Sequence, residues 1–185
     1  ACLQLKEWRS RGFSPFRVSV NVSARLFRRY DLAGILLNIL EETGVGPESL
    51  ELEITESAAM QTLEESLNAL WKLSGLSIRI AMDDFGTGYS SLASLRKFPI
   101  HLLKIDRAFI RDLERSLEDQ TIVRAILAMA GALNIDVLAE GVEREEQAEL
   151  LKGFGCRLAQ GYHYSRPVPA GEFTVLLEGE RTGIR

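Results

Sequence analysis

Six short apolar segments punctuate this sequence, and each runs out on polar or charged residues: VSVNVS (Val18 to Ser23), LELEIT (Leu50 to Thr55), IRIAMDD (Ile78 to Asp84), LLKID (Leu102 to Asp106), DVLAEGV (Asp136 to Val142) and LAQGY (Leu158 to Tyr162). Apolar runs of this length, bounded by turn residues, read as buried strands. Their ends carry Asn21, Glu53, Asp83, Asp84, Lys104, Glu140 and Gln160. Buried carboxylates and amines are costly unless paired or coordinated. A chain that needed only to fold has no reason to end strand after strand on them, so the repetition points to one shared site.

Helical patterns lie between the strands. Asp31 is placed to cap DLAGILLNILEETG with Gly44 as terminator, and Thr62 with Glu65 forms a T-x-x-E capping box for a helix that stops at Gly75. Further helices are expected over Ser90 to Phe98, from about Asp119 to Leu133, over Glu145 to Phe154 and after Pro169, while CLQLKEWRSRG reads as the end of a helix already under way. The order is a βα unit repeated six times, which predicts a parallel sheet. An open doubly wound sheet concentrates its ligand at one switch point, whereas a (β/α) barrel gathers catalytic residues from the carboxyl ends of many strands. The barrel fits better. In LELEIT, Leu50, Leu52 and Ile54 share one face and Glu51, Glu53 and Thr55 the other. A complete barrel has eight strands and roughly 250 residues, so these 185 residues are expected to form one domain, an incomplete TIM-like barrel with about six of eight units and about 65 residues wanting at the N-terminus.

Composition narrows the partner. A net charge of -4 argues against a binder of DNA or RNA duplex or of an anionic membrane surface. Cys2 and Cys156 are too few for a disulfide framework, and the longest apolar run, Ala125 to Leu133, is too short for a membrane span. There is no signal-peptide pattern. A small ligand is the better expectation.

The chemistry centres on Asp83-Asp84, followed by FGTGYSSL. Adjacent carboxylates repel each other, and a divalent cation is the usual compensation; with Asn21 and Glu53 they make a hard oxygen set suited to Mg²⁺ or Mn²⁺ rather than zinc. Neighbouring strand residues point opposite ways, so the two aspartates could face two separate ions if the strand twists or ends there. The competing reading is a solvated turn before a helix. Gly86 and Gly88 permit a tight loop, which with the start of the helix at Ser90-Ser91 could hold an anion or brace a mobile loop. Lys104 precedes Asp106 by two residues on one strand face, which would keep it charged. Glu140 and Glu143 flank Gly141-Val142, Gln160 precedes Gly161, and His101 and His163 lack metal-ligand spacing. The Asp-Phe-Gly triplet comes without the other kinase motifs.

Taken together, NVS, ELEITES, DDFGTGYSSL, LKIDRAFI, AEGVEREEQ, LAQGY and SRPVP resemble, in order and spacing, the EAL domains, bacterial phosphodiesterases that hydrolyse cyclic di-GMP to linear pGpG. The resemblance implies a modified β/α barrel holding two Mg²⁺ or Mn²⁺ ions. It assigns Asn21, Glu53, Asp83 and Glu140 as metal ligands, Asp84 as the acid serving the second ion, and Lys104 as the residue that orients the attacking water or assists proton transfer. Glu143 and Gln160 match further site residues, and Glu56 matches the anchor of the DFGTGYSS loop. It also implies cyclic di-GMP as the ligand, a homodimer, an upstream sensor or GGDEF-type domain, and a cytoplasmic setting, alone or as the cytoplasmic part of a membrane-attached protein. The Glu-Ala-Leu signature itself is absent and is expected upstream of residue 1. A catalytically weak domain acting as a cyclic di-GMP receptor or interaction module is the alternative, and a Schiff-base lyase using Lys104 is a third class. As proton acceptor, the sequence leaves Lys104 and Glu140 as rivals.

Overall fold

Six strands pair in chain order, each parallel to the next: β1 (Val18–Asn21), β2 (Leu50–Thr55), β3 (Arg79–Phe85), β4 (Leu102–Ile105), β5 (Asp136–Ala139) and β6 (Leu158–Ala159). The computed structural model describes all residues except 14–16, 24–25, 27–29, 62, 89–91 and 183–185. Helix α1 (Cys2–Ser10) precedes the sheet; α2 (Leu32–Thr43), α3 (Glu56–Gln61), α4 (Leu63–Gly75), α5 (Leu92–Leu95), α6 (Leu117–Ala132) and α7 (Glu145–Gly153) fill the crossovers, and α8 (Ala170–Thr182) follows β6. Because the order never reverses, there is no switch point of the doubly wound kind; the arrangement is an arc of a TIM-type barrel, as expected. Among the described residues β1 and β6 each keep one unpaired edge.

Register decides which residues meet. In a parallel ladder paired residues share a face, and alternate residues along a strand take opposite faces. The pairs Val18↔Leu50, Leu52↔Ile80, Ile54↔Met82, Leu103↔Val137 and Ile105↔Ala139 define one face, apolar throughout. Leu52, Ile54, Ile80, Met82, Leu103 and Ile105 on it are essentially fully buried and join one core with Leu70 and Leu73 of α4 and Val123, Ile126 and Ala130 of α6. Each such side chain contributes about 1.5–3 kcal/mol through burial. The other face carries Ser19↔Glu51↔Arg79, then Asn21↔Glu53, then Thr55↔Asp83, and it points into the barrel. Its lower layer is closed by ion pairs: Arg79 Nε lies 3.3 Å from Glu51 Oε2 and its Nη2 3.0 Å from Asp136 Oδ2, while Ser19 Oγ donates to Glu51 Oε1 at 2.9 Å. His101 Nδ1 accepts the Ile80 amide N–H at 3.1 Å beside this layer, a backbone-satisfying role.

Helix ends follow the sequence signals in part. Gly44 takes φ +68°, a left-handed conformation that favours glycine, and its N–H donates to Leu40 O at 2.8 Å. Asp31 occupies the N-cap position, but its side chain makes no capping bond, so that part of the expectation is corrected. Helix α6 starts two residues before Asp119 because Ser116 Oγ accepts from Asp119 N at 3.1 Å. The Thr62–Glu65 capping box and the Ser90-Ser91 helix start lie outside the described residues; among the described residues of the helix expected over Ser90 to Phe98, one turn is helical, as α5. Strands β5 and β6 stop at Ala139 and Ala159, leaving Glu140 and Gln160 one residue beyond their strands.

Candidate active site

At the carboxyl ends of β2 to β6 the inward face turns acidic around a single ammonium. Lys104, 4% exposed, sits near the end of β4. Its Nζ lies 2.7 Å from Glu140 Oε1, 2.8 Å from Glu53 Oε2 and 3.1 Å from Asp83 Oδ1. The expected partner, Asp106, is not among these three: its Oδ1 accepts from Ala108 N at 2.7 Å and caps the 3-10 turn Arg107–Phe109. Strand β4 ends at Ile105, so the two-residue alternation that would have placed Asp106 beside Lys104 is broken there. Burial pulls the Lys104 amine down, but the hydrogen bonds and charges of Glu140 and Glu53 outweigh it and hold the group well above its ordinary range. Among these carboxylates Lys104 is an ammonium.

Asp83 and Asp84 do not diverge as strand neighbours normally would. The β3–β4 register shifts between Met82 and Phe85, and Asp84 adopts φ +54°. A left-handed residue breaks the pleat, and the two carboxylates with Glu140 bring ligand oxygens within 4.8 Å of one another. Burial, then the charges of Asp83 and Asp106, push the Asp84 carboxyl up, against a smaller pull from Lys104. Burial likewise raises Glu140; Lys104 opposes it, and Asp83 and Glu53 add to it. Glu53, Asp83 and Glu140 surround one ammonium and Asp84 lies beside Asp83 and Glu140, a formal excess of three negative charges. Such an excess in a half-buried pocket fits one or two divalent cations, and an all-oxygen carboxylate set suits Mg²⁺, Mn²⁺ or Ca²⁺.

The remaining expected residues sit around this cluster. Asn21, exposed at the end of β1, stands in register with Glu53 at its rim. Gln160 Nε2 donates to Glu140 Oε1 at 2.5 Å, so a residue uninformative in isolation orients a member of the cluster. Glu143 lies apart from the carboxylate cluster, on the wall of an adjoining cavity of about 530 Å³ shared with Arg107, Gln160, Tyr162, Arg166 and Phe173. Glu56, 2% exposed at the start of α3, accepts from Gly86 N at 3.0 Å and Gly88 N at 3.3 Å through Oε2. A Cβ on Gly88 would lie 2.7 Å from Glu56 Oε1, so the loop closes onto this carboxylate only where glycine stands. Two residues near the site escaped sequence reasoning although quoted motifs contain them: Arg107 in LKIDRAFI and Gln147 in AEGVEREEQ. Alternation pointed Asp106 at the wrong partner, and spacing alone gives a buried glutamine no signature.

The EAL domain family model matches residues 1–167. The bifunctional diguanylate cyclase/cyclic di-GMP phosphodiesterase MucR of Pseudomonas aeruginosa is 43% identical over 170 residues, 92% of this chain and 25% of that protein. The structure of PaMucR phosphodiesterase in complex with c-di-GMP superposes with a TM-score of 0.89 at 42% identity, covering 94% of this chain and 70% of that one. Klebsiella pneumoniae BlrP1, in a manganese/cy-diGMP complex, superposes with a TM-score of 0.81 at 31% identity, covering 89% and 42%. The chain spans about a quarter of the length of the curated relatives it matches.

Proposed function

This chain belongs to the EAL domain family, and on that premise we propose that it carries the catalytic centre of a phosphodiesterase that hydrolyses cyclic di-GMP to linear pGpG with two divalent cations, Mg²⁺ or Mn²⁺. The observation that carries this reading is the buried Lys104 ammonium held by Glu53, Asp83 and Glu140, with Asp84 adding further acidic excess. Relatives named for this activity and complexes with manganese and the cyclic dinucleotide support it. Asn21, Glu53, Asp83 and Glu140 would hold the cations, Asp84 serving the second. Bound there, two cations would neutralise the phosphodiester, acidify the attacking water and steady the leaving 3′ oxygen.

The protein's own part is positional. Lys104, held by three carboxylates, would place its positive charge beside the attacking water. Of the two candidates for proton acceptor, the Lys104 amine is the one held charged by Glu140 and Glu53 in the cation-free structure, which leaves Glu140 in that role. Gln160 fixes Glu140 by its amide. Glu56 holds the Gly86–Gly88 turn that follows Asp83-Asp84, so the aspartates are presented from a braced loop. The retention of Lys104 among acids also disfavours the lyase reading, which requires a neutral amine. No described helix is long and apolar enough to cross a membrane.

The test is to incubate the intact protein with cyclic di-GMP and Mn²⁺, resolve products by chromatography, and repeat with chelator. Metal-dependent appearance of pGpG is expected. Tight binding without turnover would instead favour a receptor, and neither binding nor turnover would defeat both readings.

A further inference from the structure

One buried amide joins two walls of the adjoining cavity. Gln147, 1% exposed in α7, spends all four of its hydrogen-bonding capacities on backbone. Its Oε1 accepts from Glu143 N at 2.8 Å and Arg144 N at 3.0 Å, while Nε2 donates to Ile110 O at 3.0 Å and Arg111 O at 3.1 Å. Reversing the amide would set its NH₂ against two N–H groups and its oxygen against two carbonyls, so the network admits one orientation. The segment it grips on the β4 side is itself a closed unit: Ile110 N and Arg111 N both donate to Arg107 O, at 3.0 and 2.9 Å. The segment on the β5 side begins at Glu140 and carries Glu143. Arg144 runs a second tie in parallel, from its Nη2 to Arg111 O, and pairs with Glu114. The two walls also touch: a Cβ on Gly141 would lie 2.6 Å from Arg107 Cβ.

Resting on the phosphodiesterase reading, we infer that Gln147 is a positioning residue for substrate binding: it fixes the spacing between the Arg107 wall and the Glu143 wall of the cavity that receives the part of the dinucleotide away from the scissile bond. The carboxylate cluster does not depend on it, because Glu140 is held by its own N–H to Ile105 O at 3.1 Å, by Lys104 and by Gln160. The consequence is a split in the kinetics. Gln147→Glu keeps the shape and the oxygen that accepts from Glu143 N and Arg144 N, but sets a second oxygen against Ile110 O and Arg111 O where the NH₂ had donated, so the walls lose their tie. In the intact protein, assayed with Mn²⁺ at a temperature where circular dichroism shows full folding, KM for cyclic di-GMP should rise about tenfold or more, with kcat within about threefold of wild type. A purely structural role would lower the melting temperature and leave KM of the folded enzyme unchanged, and that result overturns the inference. Should Gln147→Glu fail to fold, Arg144→Met, at a half-exposed side chain, decides: a KM rise of about threefold supports the tie and an unchanged KM refutes it. A wild type that neither binds nor hydrolyses cyclic di-GMP would defeat the phosphodiesterase reading and the inference with it; an active wild type with variants of unchanged KM defeats the inference alone.

Discussion

Lys104 shows how far one residue's role depends on neighbours distant in sequence. Its three carboxylates come from β2, β3 and the end of β5, brought together by register rather than by spacing along the chain. Removing the ammonium leaves those acids facing one another in a half-buried site. Without cations, Lys104→Met should therefore destabilise the protein by about 3–5 kcal/mol, and Mn²⁺ should restore much of that loss. Turnover should nonetheless fall by about 10²–10⁴-fold, the range for a proton donor or acceptor acting in the transition state. Near-normal turnover with Mn²⁺ would show that Lys104 is only a counterion to the acids. Glu56 offers a second check, because its carboxylate braces the loop that follows the two aspartates. Glu56→Ala leaves two amides without their acceptor, a loss of about 1–3 kcal/mol; thermal melting should still be cooperative, Mn²⁺ affinity should change little, and turnover should drop. Wild-type kinetics in that variant would refute the bracing role. The sequence exposed these residues as types at strand ends, but it could not assign Lys104 its partners. Two-residue alternation pointed to Asp106, and the strand ends before the alternation reaches it.

At the level of elements, alternation worked where strands were long. LELEIT is read correctly because both faces persist for six residues, and the structure buries Leu50, Leu52 and Ile54 on the face opposite Glu51 and Glu53. It failed at Asp83-Asp84, where a left-handed residue and a register shift bring two carboxylates together that a regular strand would separate. Local hydrogen bonding set helix starts that periodicity misjudged, as Ser116 did for α6. The lower polar layer went unread in the same way, since nothing local to His101 shows that it caps the Ile80 amide. That layer gives a pH prediction. Burial, then the charges of Arg79 and Arg17, hold His101 below its ordinary range, against Glu51 and Asp136. The folded state thus refuses a proton that the unfolded chain accepts below about pH 6.5, so stability is intact above that pH and falls as pH drops through it. His101→Asn keeps an acceptor for Ile80 N–H and removes the titration. Urea midpoints between about pH 8 and 5.5 should fall less steeply in this variant than in wild type, and identical slopes would contradict the assignment.

For the whole molecule, a parallel arc delivers every strand's carboxyl end to one rim, and this is why six unrelated-looking segment ends form one site. Fold class and rim were readable from the order of segments, because a βα repeat admits few topologies. The geometry of the rim was not readable, because it depends on barrel curvature and on breaks in register. In the proposed function the rim's acidic excess holds cations that act on a phosphodiester. The measurement that tests it most directly is cyclic di-GMP turnover against Mn²⁺ concentration for the intact protein and for Asp83→Asn, which removes one carboxylate charge from the cluster while keeping its size. The prediction is chelator-sensitive turnover in wild type, with weakened Mn²⁺ dependence and a loss of at least about 10²-fold at saturating metal in the variant. Turnover of Asp83→Asn close to wild type, or wild-type turnover indifferent to chelator, would contradict it.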